Sequence, residues 1–484
     1  MTSPYHLARW AGNPDYLWDK EDGREFPIDS ISTPQAWLGN DRHSTAARRH
    51  QAVPGRVPGS DLILLPGRYE KFRHSLTNDI DSDKVRKHRM RPNEQEWDRG
   101  YIYPTKNNDR IGPDEVTLGE DEMSWIRAAT PGTVFFDRTY MEWGGAQGYD
   151  GITWDGAGVD LKSSSLYQFE NPTEEWQRFF RNVEFHRCKF DGGYRARTNQ
   201  GTRVKWGIFG YNVGASVNEG SWGFVLKDCD LRGIYGEHLI YMHGIAGITP
   251  HAKALLIDRC RFKHAGRTAF QDAARDHEGG GGQGHIVIQR SLIEDVCLQQ
   301  SGGGSALTFK GNHEGHVVVR DTACYLGANQ DLHAHRSDNI TGAFVSHSSD
   351  RGGWRKTTGV HLDRCHFQTG PHFVGRGSAR RPCVMLGGAH EASFTDMTVH
   401  QYHGARPAVE FDGREVEGIG KLKVTRRCDV RGDVMWLTSN GRTLRWKADP
   451  GHEDGELQGS EGWEAFVDEA EAGHVGGIEV EVVG

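Results

Sequence analysis

Val183-Glu184-Phe185-His186-Arg187-Cys188-Lys189-Phe190 and Leu255-Leu256-Ile257-Asp258-Arg259-Cys260-Arg261-Phe262 carry one pattern: apolar residues at alternate positions, a small residue, and an apolar residue two beyond it. The pattern recurs in Phe224 to Leu231 around Cys229, Ile286 to Ile293 around Ser291, Val317 to Cys324 around Thr322, and Val360 to Phe367 around Cys365. Ala392 to Val399, around Met397, is a weaker copy. Successive anchors are separated by 41, 31, 31, 31, 43 and 32 residues, a near-constant period with two insertions. A fixed period of this size marks a stack of repeating coils. Two-residue alternation is the spacing of strands and not of helices, so each coil contributes short strands. A coil that buries only its inward side chains must stack on its neighbours, which predicts an all-β parallel β-helix solenoid.

In that stack Cys188, Cys229, Cys260, Ser291, Thr322 and Cys365 form a ladder of small side chains. The thiols are expected to pack as small hydrophobes and not to act in redox chemistry. Cys428 lies 31 residues beyond Met397, but Leu422 and Val424 sit one residue out of step, so this coil reads as degraded or as the end of the stack.

The rest of the composition fits. Glycine is abundant, 63 of 484 residues without a three-residue period, which excludes collagen and favours a turn-rich chain. With 14 Trp, 14 Tyr and 20 Phe, a core is easily supplied and extensive disorder is excluded. Eight cysteines with no C-x-x-C make neither a disulfide scaffold nor a zinc ribbon. No apolar run is long enough to span a bilayer and no secretory leader is visible, so no membrane partner and a cytoplasmic site of synthesis are expected. A net charge of −8 argues against nucleic acid as a partner.

These coils resemble the right-handed parallel β-helix of the pectate-lyase-like superfamily, with Gly59 to Tyr69 similar to its first coil and Ile126 to Phe135 to its next. The resemblance covers residues 59–430, with a charged loop insertion at 70–125. Residues 1–58 are expected to be an N-terminal arm or attachment region, and 431–484 a small C-terminal cap. Capping is needed because a solenoid exposes strand edges at its ends.

The resemblance implies a polysaccharide ligand. Hydrolysis would need paired carboxylates, and lyase chemistry a base plus a cation that neutralises a uronate carboxylate. The candidate catalytic residues are Glu237, His238, Asp272, Asp276, Lys310 and Arg336, and the candidate ligand-binding residues are Tyr241, His243, His313, Trp206 and Trp222. Glu237 with Asp272 or Asp276 is the best hydrolase pair; Lys310 as base with Arg336 as neutraliser weakly resembles β-helix lyases. The galacturonase signatures are absent. Trp143, Trp154, Tyr194, Tyr211 and Trp354 are further aromatics that sugar rings could stack on. Asp331, His333 and His335 have a spacing that places them on one strand face, but among 25 histidines chance proximity is expected, so no metal and no cofactor are assigned.

The fold, the missing leader and the non-repeat ends lead to a phage virion protein: a tail spike or related tail or surface component that binds, with or without cleaving, host polysaccharide. Its expected partners are other virion proteins and two further copies in a homotrimer. The alternatives are a free, secreted polysaccharide lyase or glycoside hydrolase, and a structural cement protein of a virion.

Overall fold

The computed structural model describes residues 36–38, 61–64, 67–70, 73–75, 101–102, 104–105, 124–128, 130–137, 140–142, 147–155, 158–161, 183–192, 206–214, 222–234, 238–246, 253–273, 282–294, 296, 305–310, 313–326, 342–347, 357–370, 383–387, 389–401, 407–412, 420–431, 433–439, 442–446, 467–468, 471–472 and 478–483. The chain is a right-handed parallel β-helix, the hand favoured when twisted strands return in parallel. Each coil visits three sheets in turn. One such circuit runs Phe224–Lys227, Asp230–Ile234 and His238–Ala246, and Lys253–Asp258 then begins the next.

Alternation in the sequence becomes rows in the structure. Val183, Phe224, Leu255, Ile286, Val317, Val360, Ala392 and Leu422 occupy one position on successive strands of the first sheet. All lie in the buried core. Burying each of the larger side chains stabilises the fold by about 1.5–3 kcal/mol. In the third sheet, Phe270, Phe309 and Phe344 pack as a row of mutually tilted rings with centroids 5.5 and 5.4 Å apart.

The anchor ladder is present. Arg261 N donates to Cys229 O at 2.9 Å, Leu292 N to Cys260 O at 2.9 Å, and Ala323 N to Ser291 O at 3.0 Å. Cys260 N donates to Ser291 Oγ at 3.1 Å, and Ser291 N to Thr322 Oγ1 at 3.4 Å.

One residue before each anchor the backbone turns from the first sheet into the second through a left-handed conformation. Arg187, Asp228, Arg259, Arg290, Asp321, Arg364 and Asp396 have φ between 49° and 55°. Such a conformation disfavours residues other than glycine by about 1–2 kcal/mol. The corners offset this through the next coil: Arg187 N donates to Lys227 O at 2.8 Å, Asp228 N to Asp258 O at 3.0 Å, and Arg364 N to Thr395 O at 2.7 Å. At the Cys428 coil, Arg426 and Arg427 both occupy the turn. The extra corner residue accounts for the one-residue shift of Leu422 and Val424. That coil is otherwise intact, with Gly420–Thr425 pairing Ala389–Thr395 and Asp429–Arg431 pairing Thr398–Gln401.

At the start of the stack Asp61–Leu64 pairs in parallel with Ser124–Ala128, and Ala36–Leu38 pairs antiparallel with Asp61–Leu64. Within the charged insertion, Tyr101–Ile102 joins the third sheet beside Gly158–Leu161. At the far end Ile478–Val483 adds in parallel to Gly420–Thr425, and Arg442–Trp446 folds back antiparallel on Asp433–Ser439. Val467 is buried against the core there, and Arg426 reaches Asp468 and Glu471. Among the described residues no helix is long and apolar enough to cross a membrane.

Candidate functional site

The residues singled out in the sequence separate between two sheets. Trp206, His238, Tyr241, His243, Asp272 and Lys310 lie on the third sheet, and His313 lies on the first. Trp206 is in register with His238, and His243 with Tyr211. His313 is in register with Thr357, and half-buried Trp222 precedes the Phe224–Lys227 strand. Glu237, Asp276, Asp331, His333, His335 and Arg336 lie outside the described residues.

Asp272 is 1% exposed and in register with Met242 and Phe309, both core residues. Two-residue periodicity puts Asp272 on the same side as Phe270, so it points inward and does not line an open groove. Lys310 is in register with Ala273, one row beyond Asp272. Trp154, counted among possible sugar-stacking rings, is fully buried and stacks on Phe190 at 4.6 Å. His238 is nearly buried, its Nδ1 2.5 Å from Thr268 Oγ1 and its ring stacked on Tyr241 at 4.7 Å. That arrangement holds the imidazole in place and leaves little of it open to a ligand.

A different constellation occupies the outer face of the first sheet. His316, Gly359 and Glu391 share one row on three adjacent strands, His313–Arg320, Thr357–Asp363 and Ala389–Thr395. Because the middle position is glycine, His361, two residues on, turns its ring into the gap. His361 Nε2 lies 2.8 Å from His316 Nδ1, and Glu391 Oε1 lies 3.5 Å from His316 Nδ1 and 3.6 Å from His361 Nε2. A methyl group on Gly359 would meet His316 Nδ1 at 2.6 Å and both Glu391 Oε1 and His361 Nε2 at 2.9 Å. The glycine is therefore what makes the cluster possible.

The cluster is supported from both sides. Ser393 Oγ lies 2.8 Å from His361 Nδ1, and the backbone N–H of His316 donates to His285 Nδ1 at 3.3 Å. The His316 and His361 rings are stacked with centroids 5.0 Å apart. The side chains of His316, His361 and Glu391 are 30%, 28% and 41% exposed, so the site is half open to solvent. Burial, then the charge of His316, lowers the pKa of His361, and Glu391 only partly opposes them. A neutral imidazole is thereby favoured, which can accept a proton or coordinate a cation. On the next coil the face continues with Lys421 and Lys423, which pair with Glu479 and Glu481 of the strand beyond at 3.7 and 2.8 Å.

The fold and this face define a parallel β-helix protein with an imidazole and carboxylate cluster on an open sheet. No protein-family model matches the chain, and no curated protein matches it. Among solved structures it is similar to one titled "Structural characterization of a mannuronic acid specific polysaccharide family 6 lyase enzyme from human gut microbiota". Identity is 11% and the TM-score 0.25, over 72% of this chain and 84% of that one. Likeness at that level carries no information about activity.

Proposed function

We propose that the protein binds a polysaccharide along the outer face of its first sheet and that any turnover is centred on His316, His361 and Glu391. The observation that carries this reading is the convergence of three titratable groups on a half-open face of a long solenoid. Their chemistry suits contact with a sugar chain: two imidazoles and a carboxylate, side by side and half exposed, can hydrogen-bond its hydroxyl groups. Because the cluster holds one carboxylate and not two, the lyase branch is favoured over paired-carboxylate hydrolysis.

Within this function the finer proposal is display on a phage virion, as a homotrimeric tail spike or related component, supported by the non-repeat segments that flank the coils. A free, secreted enzyme is the alternative. A glycan array with the full chain, followed by absorbance of unsaturated products on any polyuronate that binds, tests the main reading. Binding reduced by His361→Ala is expected; glycan binding unaffected by His361→Ala and Glu391→Gln, or no glycan binding at all, overturns it. The virion proposal predicts a solution mass three times the 54.1 kDa protomer and co-sedimentation with particles; a monomer that joins no particle overturns that part alone.

A further inference from the structure

We infer that His316, His361 and Glu391 are a three-ligand site for a borderline divalent transition-metal ion of the Zn²⁺ type, with its remaining coordination position open to solvent. The inference concerns the same face as the proposed function and does not rest on it, since metal uptake is measured without sugar.

The geometry combines one hydrogen bond, between the two imidazoles, with a carboxylate that stands off from both. An ordinary N–H···O bond spans about 2.7–3.2 Å. Glu391 Oε1 is outside that range from both imidazole nitrogens, at 3.5 and 3.6 Å, although all three atoms converge on one point. A tetrahedral site with bonds of about 2.0–2.1 Å has ligand atoms about 3.3 Å apart. The two carboxylate distances are already close to that edge. Only the 2.8 Å contact between the imidazoles must open, by roughly half an ångström to reach that edge.

The surroundings are those a metal site requires. His361 presents Nε2 to the cluster while its Nδ1 meets Ser393 Oγ at 2.8 Å, the outer hydrogen bond that fixes a ligating imidazole. His285 uses its Nδ1 to accept the His316 N–H, so that atom is not a fourth ligand. Two imidazoles and one carboxylate with an open position form a donor set used by catalytic zinc sites. Imidazole donors also select against Ca²⁺ and Mg²⁺, which prefer all-oxygen cages. Gly359 has a specific part in this: any side chain there would occupy the volume where the ligands meet.

The test uses the full chain, stripped with a chelator, then titrated with Zn²⁺ by calorimetry and with Co²⁺ by visible absorption. One equivalent is expected, with a tetrahedral or five-coordinate Co²⁺ spectrum and no competition from millimolar Ca²⁺. Glu391→Gln, which is isosteric and keeps the fold, and His361→Ala should each weaken Zn²⁺ by about 100-fold or more. Ser393→Ala should weaken it by about 10- to 100-fold. Gly359→Ala should abolish the Co²⁺ spectrum, and His400→Ala, on the second sheet, should leave it unchanged. Circular dichroism confirms that each variant is folded. The inference is overturned if the wild type takes up neither ion, or if Glu391→Gln and His361→Ala bind as tightly as the wild type. A chain that takes up Zn²⁺ but no glycan would overturn the proposed function and leave this site standing.

Discussion

Arg259 grips Asp228 of the preceding coil through two guanidinium nitrogens, at 2.5 and 2.8 Å, and both residues stand in left-handed backbone, at φ 53° and 55°. The same pairing recurs between Arg364 and Asp321, at 2.7 and 3.0 Å. Corner residues that are strained singly are thus tied together in pairs across the coils.

Asp228→Ala is expected to destabilise the protein by about 1–3 kcal/mol, between the small value of an exposed pair and the large one of a buried pair. The two side chains are 15% and 22% exposed, which places the pair between those limits. Asp228→Asn should be milder, because asparagine tolerates this backbone, and Asp228→Val worse, because a β-branched residue does not. Arg259→Lys should not rescue the two-point contact. Denaturant melts of the four variants check the order.

The buried thiols give a pH dependence. Burial raises Cys229 and Cys260 well above 9.0 and pushes Cys383 up to about 12. A group whose pKa is higher in the folded state contributes stability that is complete below its unfolded value and is lost above it. Stability should therefore hold up to about pH 9 and fall at higher pH, as thiols ionise in the unfolded chain. The seven described cysteines are all buried and free, so a thiol reagent should reach them only on unfolding. Cys260→Ser, a change that Ser291 already shows to fit the ladder, should soften the alkaline decline. Rapid labelling of these thiols in the native protein, or an alkaline profile that Cys260→Ser leaves unchanged, would contradict this account.

Gly315 is a second sensitive position. A methyl group there would meet Gly284 O at 2.2 Å and Gly284 C at 2.7 Å, backbone atoms that cannot swing aside. Gly315→Ala should therefore lower stability by about 2 kcal/mol or more through forced separation of adjacent coils. A thermal midpoint unchanged from the wild type would show that the coils are not in such close contact.

Phe309 sits between Phe270 and Phe344 in the third-sheet row of tilted rings and is 3% exposed. Phe309→Ala should cost about 3–5 kcal/mol and Phe309→Leu distinctly less. Comparable losses from both would mean that ring packing contributes little.

The solenoid was readable because its period is strict where inward residues must coincide: anchors 31 residues apart, such as Cys260 and Ser291, are the residues that stack. The candidate site was harder to read because each of its residues is unremarkable alone, and His316 and His361 are 45 positions apart across an inserted segment. A signal did exist. The positions just before the repeat copies that begin at Ile286, Val317, Val360 and Ala392 are His285, His316, Gly359 and Glu391, a polar column interrupted by one glycine. Asp272 follows from parity alone: it lies two residues from Phe270 in one strand, and both face the interior.

The recurrence of one corner conformation also bears on how such a chain can change length. Arg259 at φ 53° and Arg290 at φ 51° are interchangeable junctions, each followed by a small ladder residue. Excising residues 260–290 would join Arg259 directly to Ser291 with every row still in phase. A shorter, folded protein lacking one whole turn is the outcome such a splice should yield, and duplication of the same segment would lengthen the rod by the same unit.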